Sequence, residues 1–320
     1  MLESLTTLKN QPESDISAEL EQIITEAGRI ILGKDRVLRL ALTCLLARGH
    51  LLIEDLPGVG KTTMAHVLAQ LLGLQYQRIQ FTSDLLPADI IGVSIFNQKE
   101  GAFQFHPGPV FTQLVLADEI NRATPKAQSA LLEAMEERQI TAEGETRQLP
   151  KPFFVIATQN PISQIGTFPL PESQLDRFFM RLQLGYPNKK AERTLLAGEE
   201  RRELLKTMKP VITPQRLLEL QGHVPQVHVS DALLDYCQDL LEFSRTSPRF
   251  HHGLSPRAGL ALLKGARAWA LLDGRYQVLP EDLQAVLPAT VSHRLHSTTD
   301  TGADESKAMS QHLLESVAIP

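Results

Sequence analysis

The chain has 320 residues, enough for two domains, and 42% of them are hydrophobic, enough for a sizeable buried core. Charged residues make up an ordinary 22%, and the net charge of −5 with a pI near 6.1 argues against non-specific nucleic-acid binding, which needs a surplus of Lys and Arg to neutralise phosphates. No apolar run approaches the roughly 20 residues that span a bilayer, and residues 1–10 lack a basic stretch followed by an apolar one, so a cytoplasmic protein is expected.

Residues 1–16 are polar and are expected to form a flexible N-terminus. A helix is predicted over 17–31, with Leu20, Ile23 and Ile24 on one face and Gly33 as the break. A second helix, 35–48, carries Val37, Leu38, Leu40, Ala41, Cys44 and Leu45. Leu51-Leu52-Ile53 reads as a short buried strand running into Asp55-Leu56-Pro57-Gly58-Val59-Gly60-Lys61-Thr62, and a helix over 63–72 follows, stopped at Gly73. Residues 76–81 suit a strand, and 90–96 with 102–105 suit a hairpin around Gly101. The continuous apolar run 114–117 is the mark of a strand buried on both faces, and it ends on Asp118-Glu119. Thr124 as cap and Pro125 in the first position start a helix reaching about 138. A second hairpin is predicted over 140–149 around Gly144, then an apolar strand, 153–158, ending at Gln159-Asn160.

Beyond Pro187 helical periodicity dominates, with helices predicted at 189–205, 213–222, 230–245, 256–272 and 281–294. The expected organisation is an α/β nucleotide-binding core with a parallel sheet (17–187), a linker with a helix (188–209), a smaller all-helical domain (210–296) and a polar tail (297–320). Cys44 and Cys237 each sit in an apolar helical pattern without a partner at metal spacing, and are expected to be small buried hydrophobes.

The chemistry concentrates at three strand ends. Strand, then Gly58-Val59-Gly60-Lys61-Thr62, then helix is the order a phosphate-cradling loop requires. Its glycines bring backbone N–H groups to the phosphates, the helix start adds its positive end, Lys61 reaches the β and γ phosphates, and the Thr62 hydroxyl can hold magnesium. Pro57, Val59 and Thr63 complete the loop; the glycine usual at its start is replaced by Asp55. Asp118 and Glu119 lie at the carboxyl end of a buried strand, where open α/β sheets bind ligands. Asp118 is the expected magnesium ligand and Glu119 the group that orients and deprotonates the attacking water. Asn160 ends the next strand and is expected to touch the γ-phosphate or that water; a turn role before Pro161 is the alternative.

With these pieces in place the chain resembles the MoxR family of AAA+ ATPases from about residue 30 to 295. The resemblance rests on Gly49-His50-Leu51-Leu52-Ile53-Glu54 through Thr62, Gly108-Pro109-Val110-Phe111 and Leu116-Ala117-Asp118-Glu119-Ile120-Asn121-Arg122-Ala123. It continues in Ala130-Leu131-Leu132-Glu133-Ala134-Met135, Ala157-Thr158-Gln159-Asn160-Pro161, Leu170-Pro171-Glu172-Ser173-Gln174-Leu175-Asp176-Arg177-Phe178, Ser255-Pro256-Arg257-Ala258 and His293-Arg294-Leu295. It implies a AAA+ core with a helical lid, ATP and Mg²⁺ as ligands, Ile31-Leu32-Gly33 at the adenine, Arg177 as an arginine finger on the neighbouring subunit's ATP, and Arg257 as a second sensor from the lid. It also implies a ring, a hexamer by likeness, that remodels or activates a protein partner, often one with a von Willebrand factor A domain and sometimes for metal-cofactor insertion. An ion pair of Arg177 inside its own subunit, for instance with Glu172 or Asp176, is the competing reading.

Other functions remain open at this stage. A nucleic-acid-dependent AAA+ motor would want a basic hairpin, whereas Lys99 is balanced by Glu100 and Arg147 by Glu143 and Glu145, so no nucleic acid is expected. A chelatase-type motor subunit differs only in its partner, and a nucleotide-sensing scaffold would not need Glu119, Asn160 and Arg177 together. Glu133, Glu136 and Glu137 are expected to be a solvated face, Trp269 a core residue, His251-His252 a solvated loop, and His50 as much structural as nucleotide-binding.

Overall fold

Two helices, α1 (Glu13–Gly28) and α2 (Asp35–Leu46), open the computed structural model, in which residues 13–160, 167–197, 201–298 and 305–319 are described. Residues 1–12, 198–200 and 299–304, and Pro161, about which the sequence raises expectations, lie outside the described residues. In α1 the apolar positions Ile16, Leu20, Ile23, Ile24 and Ala27 recur every three or four residues, and all are buried.

Then come β1 (Leu51–Glu54), α3 (Lys61–Leu71), β2 (Tyr76–Gln80), the one-turn α4 (Pro87–Ile91), β3 (Gly92–Asn97) and β4 (Ala102–Pro107). They are followed by β5 (Leu114–Asp118), α5 (Pro125–Glu137), β6 (Gln139–Ala142), β7 (Glu145–Gln148), β8 (Phe154–Gln159), α6 (Glu172–Leu175) and β9 (Met180–Leu182). The five strands β2-β5-β8-β1-β9 form one parallel sheet in that order. Every residue of β5 and β8 is buried, as expected for strands covered on both faces. The antiparallel pairs β3–β4 and β6–β7 stand apart from it as hairpins, joined where the Arg147 guanidinium sits 3.9 Å over the Phe105 ring.

The remaining described elements are helical: α7 (Lys189–Leu196), α8 (Arg201–Thr207), α9 (Pro214–His223), α10 (Asp231–Thr246), α11 (Pro256–Leu272), α12 (Pro280–Val291) and α13 (Glu305–Ser316). The cap-then-proline starts act as the sequence suggests at Thr213 and Ser255, whose hydroxyls accept from the N–H of Arg216 and Ala258. Thr124 occupies the same position before α5, but its side chain makes no cap bond. One apolar core runs from Ile16 through the sheet to Leu313, and α11 packs on α1, α2 and α12, so the helical part shares its core with the N-terminal helices. A second core, with Val115, Ala117, Leu131 and Phe178, fills the other face of the sheet.

Three expectations need correction. The first hairpin begins at Gly92, because Ile90 turns inward from α4 into the second core. The strand β9 alternates buried Met180 and Leu182 around Arg181, a pattern too short to mark a strand in the sequence, and it forms where β1 offers a free edge. In the expected tail, α13 packs on α10 and α12 with Met309 and Leu313 buried.

Candidate functional site

The strand order places three strand ends side by side. The phosphate-loop candidate leaves β1, Asn160 leaves β8 and the acidic pair leaves β5; β8 lies between the other two. Gly58 and Gly60 take φ of +86° and +99°, values an L side chain resists, and an added Cβ at either would meet no protein atom within 4 Å. The loop therefore opens onto free space, with the start of α3 behind it. Lys61 is buried, and its Nζ donates to Asn160 Oδ1 at 3.1 Å and to the Asp55 carbonyl. Burial pulls its ammonium pKa down, and the charges of Asp55, Asp118 and Glu119 oppose that pull.

Asp55 has a structural answer. Its Oδ1 accepts from the N–H of Leu56 at 2.8 Å and its Oδ2 from the N–H of Gly185 at 2.5 Å. The side chain thus pins the start of the loop to the chain leaving the core after β9, a role no glycine could fill.

Asp118 and Glu119 sit in one hydrogen-bond network. The Thr158 hydroxyl donates to Asp118 Oδ1 at 2.5 Å and accepts from the Glu119 N–H at 2.9 Å. Asp118 Oδ2 lies 3.3 Å from the Thr62 hydroxyl and takes Nε and Nη2 of Arg78 at 3.0 and 2.6 Å. Glu119 is held in a left-handed conformation, φ +57° and ψ +48°, which costs on the order of 1 kcal/mol and is the kind of strain that gathers at functional sites. Asn160 Nδ2 donates to its Oε1 at 3.0 Å, while Gln80 Nε2 and Arg122 Nε reach its Oε2 at 3.1 and 3.2 Å. Asn160 bridges Lys61 and Glu119, more than a turn residue would do.

A cleft of about 980 Å³ opens beside this network, lined by Ile31, Leu32, Pro57, Gly58, Val59, Gly60, Thr62 and Thr63 among the expected residues. Ile30, Lys34, His66, Gln70, Arg78, Tyr186, Pro187, Leu195, Leu205 and Lys206 complete the lining. Gly33 lies behind the wall, where a Cβ would come within 2.8 Å of Asn188 Nδ2. His66 stacks on Tyr76 with centroids 5.0 Å apart, and burial pushes the Tyr76 hydroxyl up to about 12. An apolar end, a glycine cradle with a lysine, and a hydroxyl beside a carboxylate fit a nucleoside triphosphate with magnesium, whose preferred ligands are hard oxygens.

Arg177 and Arg257 lie elsewhere. They line a second cleft of about 270 Å³ that shares no lining residue with the first. Arg177 donates to the Leu132 carbonyl at 2.7 Å and pairs with Glu136 at 3.1 Å, not with Glu172 or Asp176. Arg257 approaches Glu136 at 3.7 Å and Asp176 at 3.8 Å. Glu136 is exposed, as are Glu133 and Glu137, and on that solvated face it serves as counter-ion to the two guanidiniums. Arg48, Arg138, Lys264 and Arg294 add to the positive charge of this cleft, and burial followed by repulsion from Arg138 and Arg48 pushes the Lys264 ammonium pKa down.

The other signals resolve structurally. His50 is buried, accepts from the Val155 N–H at 3.0 Å and donates to the Met135 carbonyl at 3.1 Å, and burial pulls its pKa down to about 4. Trp269 packs against the core under the Arg39 guanidinium. Cys44 and Cys237 are buried. Arg78 and Gln80 carry no motif of their own, whereas Arg122 and Thr158 lie within stretches quoted above without a role assigned to them. Among the described residues no helix is long and apolar enough to cross a membrane.

Comparison with known proteins follows from this geometry. Residues 50–180 match the family described as ATPase family associated with various cellular activities (AAA), and residues 242–315 match the AAA lid domain. The chain is 40% identical to Chaperone MoxR1 of Mycobacterium tuberculosis, over 94% of this chain and 82% of that one. It is 44% identical to protein YeaC of Bacillus subtilis, over 96% and 97%. The crystal structure of a presumed ATPase from Cytophaga hutchinsonii superposes with a TM-score of 0.86 at 34% identity, covering 100% of this chain and 99% of that one.

Proposed function

The chain belongs to the MoxR family of chaperone-like AAA+ ATPases, and from that premise we propose that it hydrolyses ATP at interfaces between copies of itself in a ring, a hexamer by family likeness, to remodel a protein partner. The observation that supports this most is the division of labour between the two clefts. Lys61, Thr62, Asp118, Glu119 and Asn160 form one contact network beside a nucleotide-sized cleft that Thr62 lines, whereas Arg177 and Arg257 open together onto another.

In this reading residues 17–187 are the nucleotide-binding core and 210–296 the lid. Ile31 and Leu32 would face the adenine with Gly33 behind them, the backbone of 57–63 and the Lys61 ammonium would hold the phosphates, and Thr62 and Asp118 would hold magnesium. The metal supplies charge neutralisation on the phosphate oxygens when bound. Glu119, once released from Gln80 and Asn160, takes the proton of the attacking water, and Asn160 keeps its contact to Lys61 or turns to the γ-phosphate. A guanidinium must meet the charge that builds on the γ-oxygens, and Arg177 and Arg257, which line a separate cleft and make no contact with Lys61, Asp118, Glu119 or Asn160, both act in this reading on a neighbour's ATP. The two share Glu136 as counter-ion and would leave it together on assembly.

The partner is a protein, with a von Willebrand factor A domain as the leading candidate and metal-cofactor insertion as one outcome; no nucleic acid is needed. Specific ATPase rate against protein concentration, with magnesium, tests the ring. A rate per subunit that climbs and saturates supports active sites completed between subunits. A rate that stays constant down to concentrations where sizing shows monomer would overturn it. A several-fold rise on adding DNA would favour the nucleic-acid motor, and stimulation by a tetrapyrrole metal-insertion partner the chelatase reading.

A further inference from the structure

The carboxylate oxygens of Asp118 and Glu119, beside the nucleotide cleft, are held by side chains that form one continuous path. Asp118 Oδ1 is turned to Thr158, so Oδ2, beside the Thr62 hydroxyl at 3.3 Å, is the oxygen that would be left to hold a magnesium ion. Arg78 already places two N–H groups on that same oxygen, from Nε at 3.0 Å and Nη2 at 2.6 Å. A charge-assisted pair on a carboxylate whose side chain is only 8% exposed is a strong hold, because removing one partner strands the other without solvent. An oxygen carrying three donors has no lone pair left for a cation or for one of its waters, so Arg78 and the cation exclude each other there.

The path continues from the same guanidinium. Arg78 Nη2 also donates to Gln80 Oε1 at 2.8 Å, and Gln80 Nε2 donates to Glu119 Oε2 at 3.1 Å. Arg78 and Gln80 are two residues apart on β2, so their side chains stand on one face of the strand at the edge of the sheet. Gln80 has one amide, and its oxygen is braced by Arg78 while its nitrogen occupies the expected base. The Arg78 side chain is 49% exposed and lines the cleft, so it has room to swing away.

We propose that Arg78 is an internal counter-ion standing in for magnesium on Asp118, and that its displacement, passed through Gln80, releases Glu119 for catalysis. This rests on the ATPase reading above. It makes Arg78 and Gln80 positioning residues: filling the metal side of the site removes the Gln80 hold on Glu119, leaving those of Arg122 and Asn160. Reciprocity then requires that anything loosening the hold of Arg78 on Asp118 tightens metal binding.

The test is Mn²⁺ binding to the full chain followed by electron paramagnetic resonance, at saturating non-hydrolysable ATP analogue. Arg78→Met should lower the Mn²⁺ midpoint about tenfold, the scale of one lost charge-assisted hydrogen-bond pair. Gln80→Ala changes no charge and should still lower it, about two- to fivefold, because it removes the brace on Arg78. General charge repulsion by Arg78 would move the first variant and leave the second alone. Both side chains are exposed, so thermal melting should confirm folded variants. A midpoint within twofold of the unmodified chain, or a raised one, in either variant overturns the proposal. Failure of the underlying ATPase reading looks different: the unmodified chain then shows no analogue-dependent Mn²⁺ site.

Discussion

Replacing Arg177 by Ala separates a structural role from a catalytic one, because the two predict effects of very different size. In the isolated chain Arg177 makes one hydrogen bond to the Leu132 carbonyl at 2.7 Å and one half-exposed ion pair to Glu136 at 3.1 Å. Such contacts are worth about 1–2 kcal/mol together, a small part of the roughly 5–15 kcal/mol that holds a typical domain. The variant should therefore fold, with a slightly lower melting temperature, and should keep its affinity for ATP. As a finger acting on a neighbour it should lose about 10³-fold or more in turnover. The decisive assay mixes Arg177→Ala with Lys61→Ala, each inactive alone. In a ring, a subunit with an intact phosphate loop can sit beside one with an intact Arg177, so random mixing should restore roughly a quarter of the interfaces. No recovery in species shown to co-assemble would refute the placement of Arg177 across the interface. Loss of the folded state in Arg177→Ala alone would return it to the ion-pair role.

Three further outcomes are expected. Glu119→Gln should bind ATP and stall, with turnover down at least about 10²-fold at unchanged nucleotide affinity; normal turnover would remove it as the base. His50 is neutral in the fold, with its pKa lowered from 6.5 to about 4, mainly by burial and then by Arg138. The unfolded chain thus takes the proton first, and stability should fall by about 2 kcal/mol between pH 7 and pH 5, with His293 pushing the same way. Urea unfolding at the two pH values measures this, and a His50→Gln variant with an equally steep dependence would assign the effect elsewhere. Leu313, fully buried in α13, should cost about 2–5 kcal/mol when replaced by Ala; a change under about 0.5 kcal/mol would mean that α13 does not dock in solution.

How much was legible in the sequence depended on the range of the signal. The phosphate loop, the apolar runs of β5 and β8, the cap-then-proline starts at Thr213 and Ser255, and the reach of α11 over Pro256–Leu272 are written within a few neighbouring residues. Local sterics, hydrogen bonding and side-chain period therefore determine them. Asp55 could be seen as a departure but not explained, since its partner Gly185 lies 130 residues away. Arg78 and Gln80 look like ordinary polar surface until β2 is laid beside β5 and their donors meet Asp118 and Glu119. The strand β9 exists because β1 has an open edge, and α13 because α10 and α12 leave an apolar surface for Leu313. The chain by itself thus marked the residues proposed to cradle phosphate, hold a metal and activate water. The tertiary structure decided which charges restrain them, and that Arg177 and Arg257 face a cleft of their own, because electrostatic partners are chosen by distance in space and leave no period in the sequence.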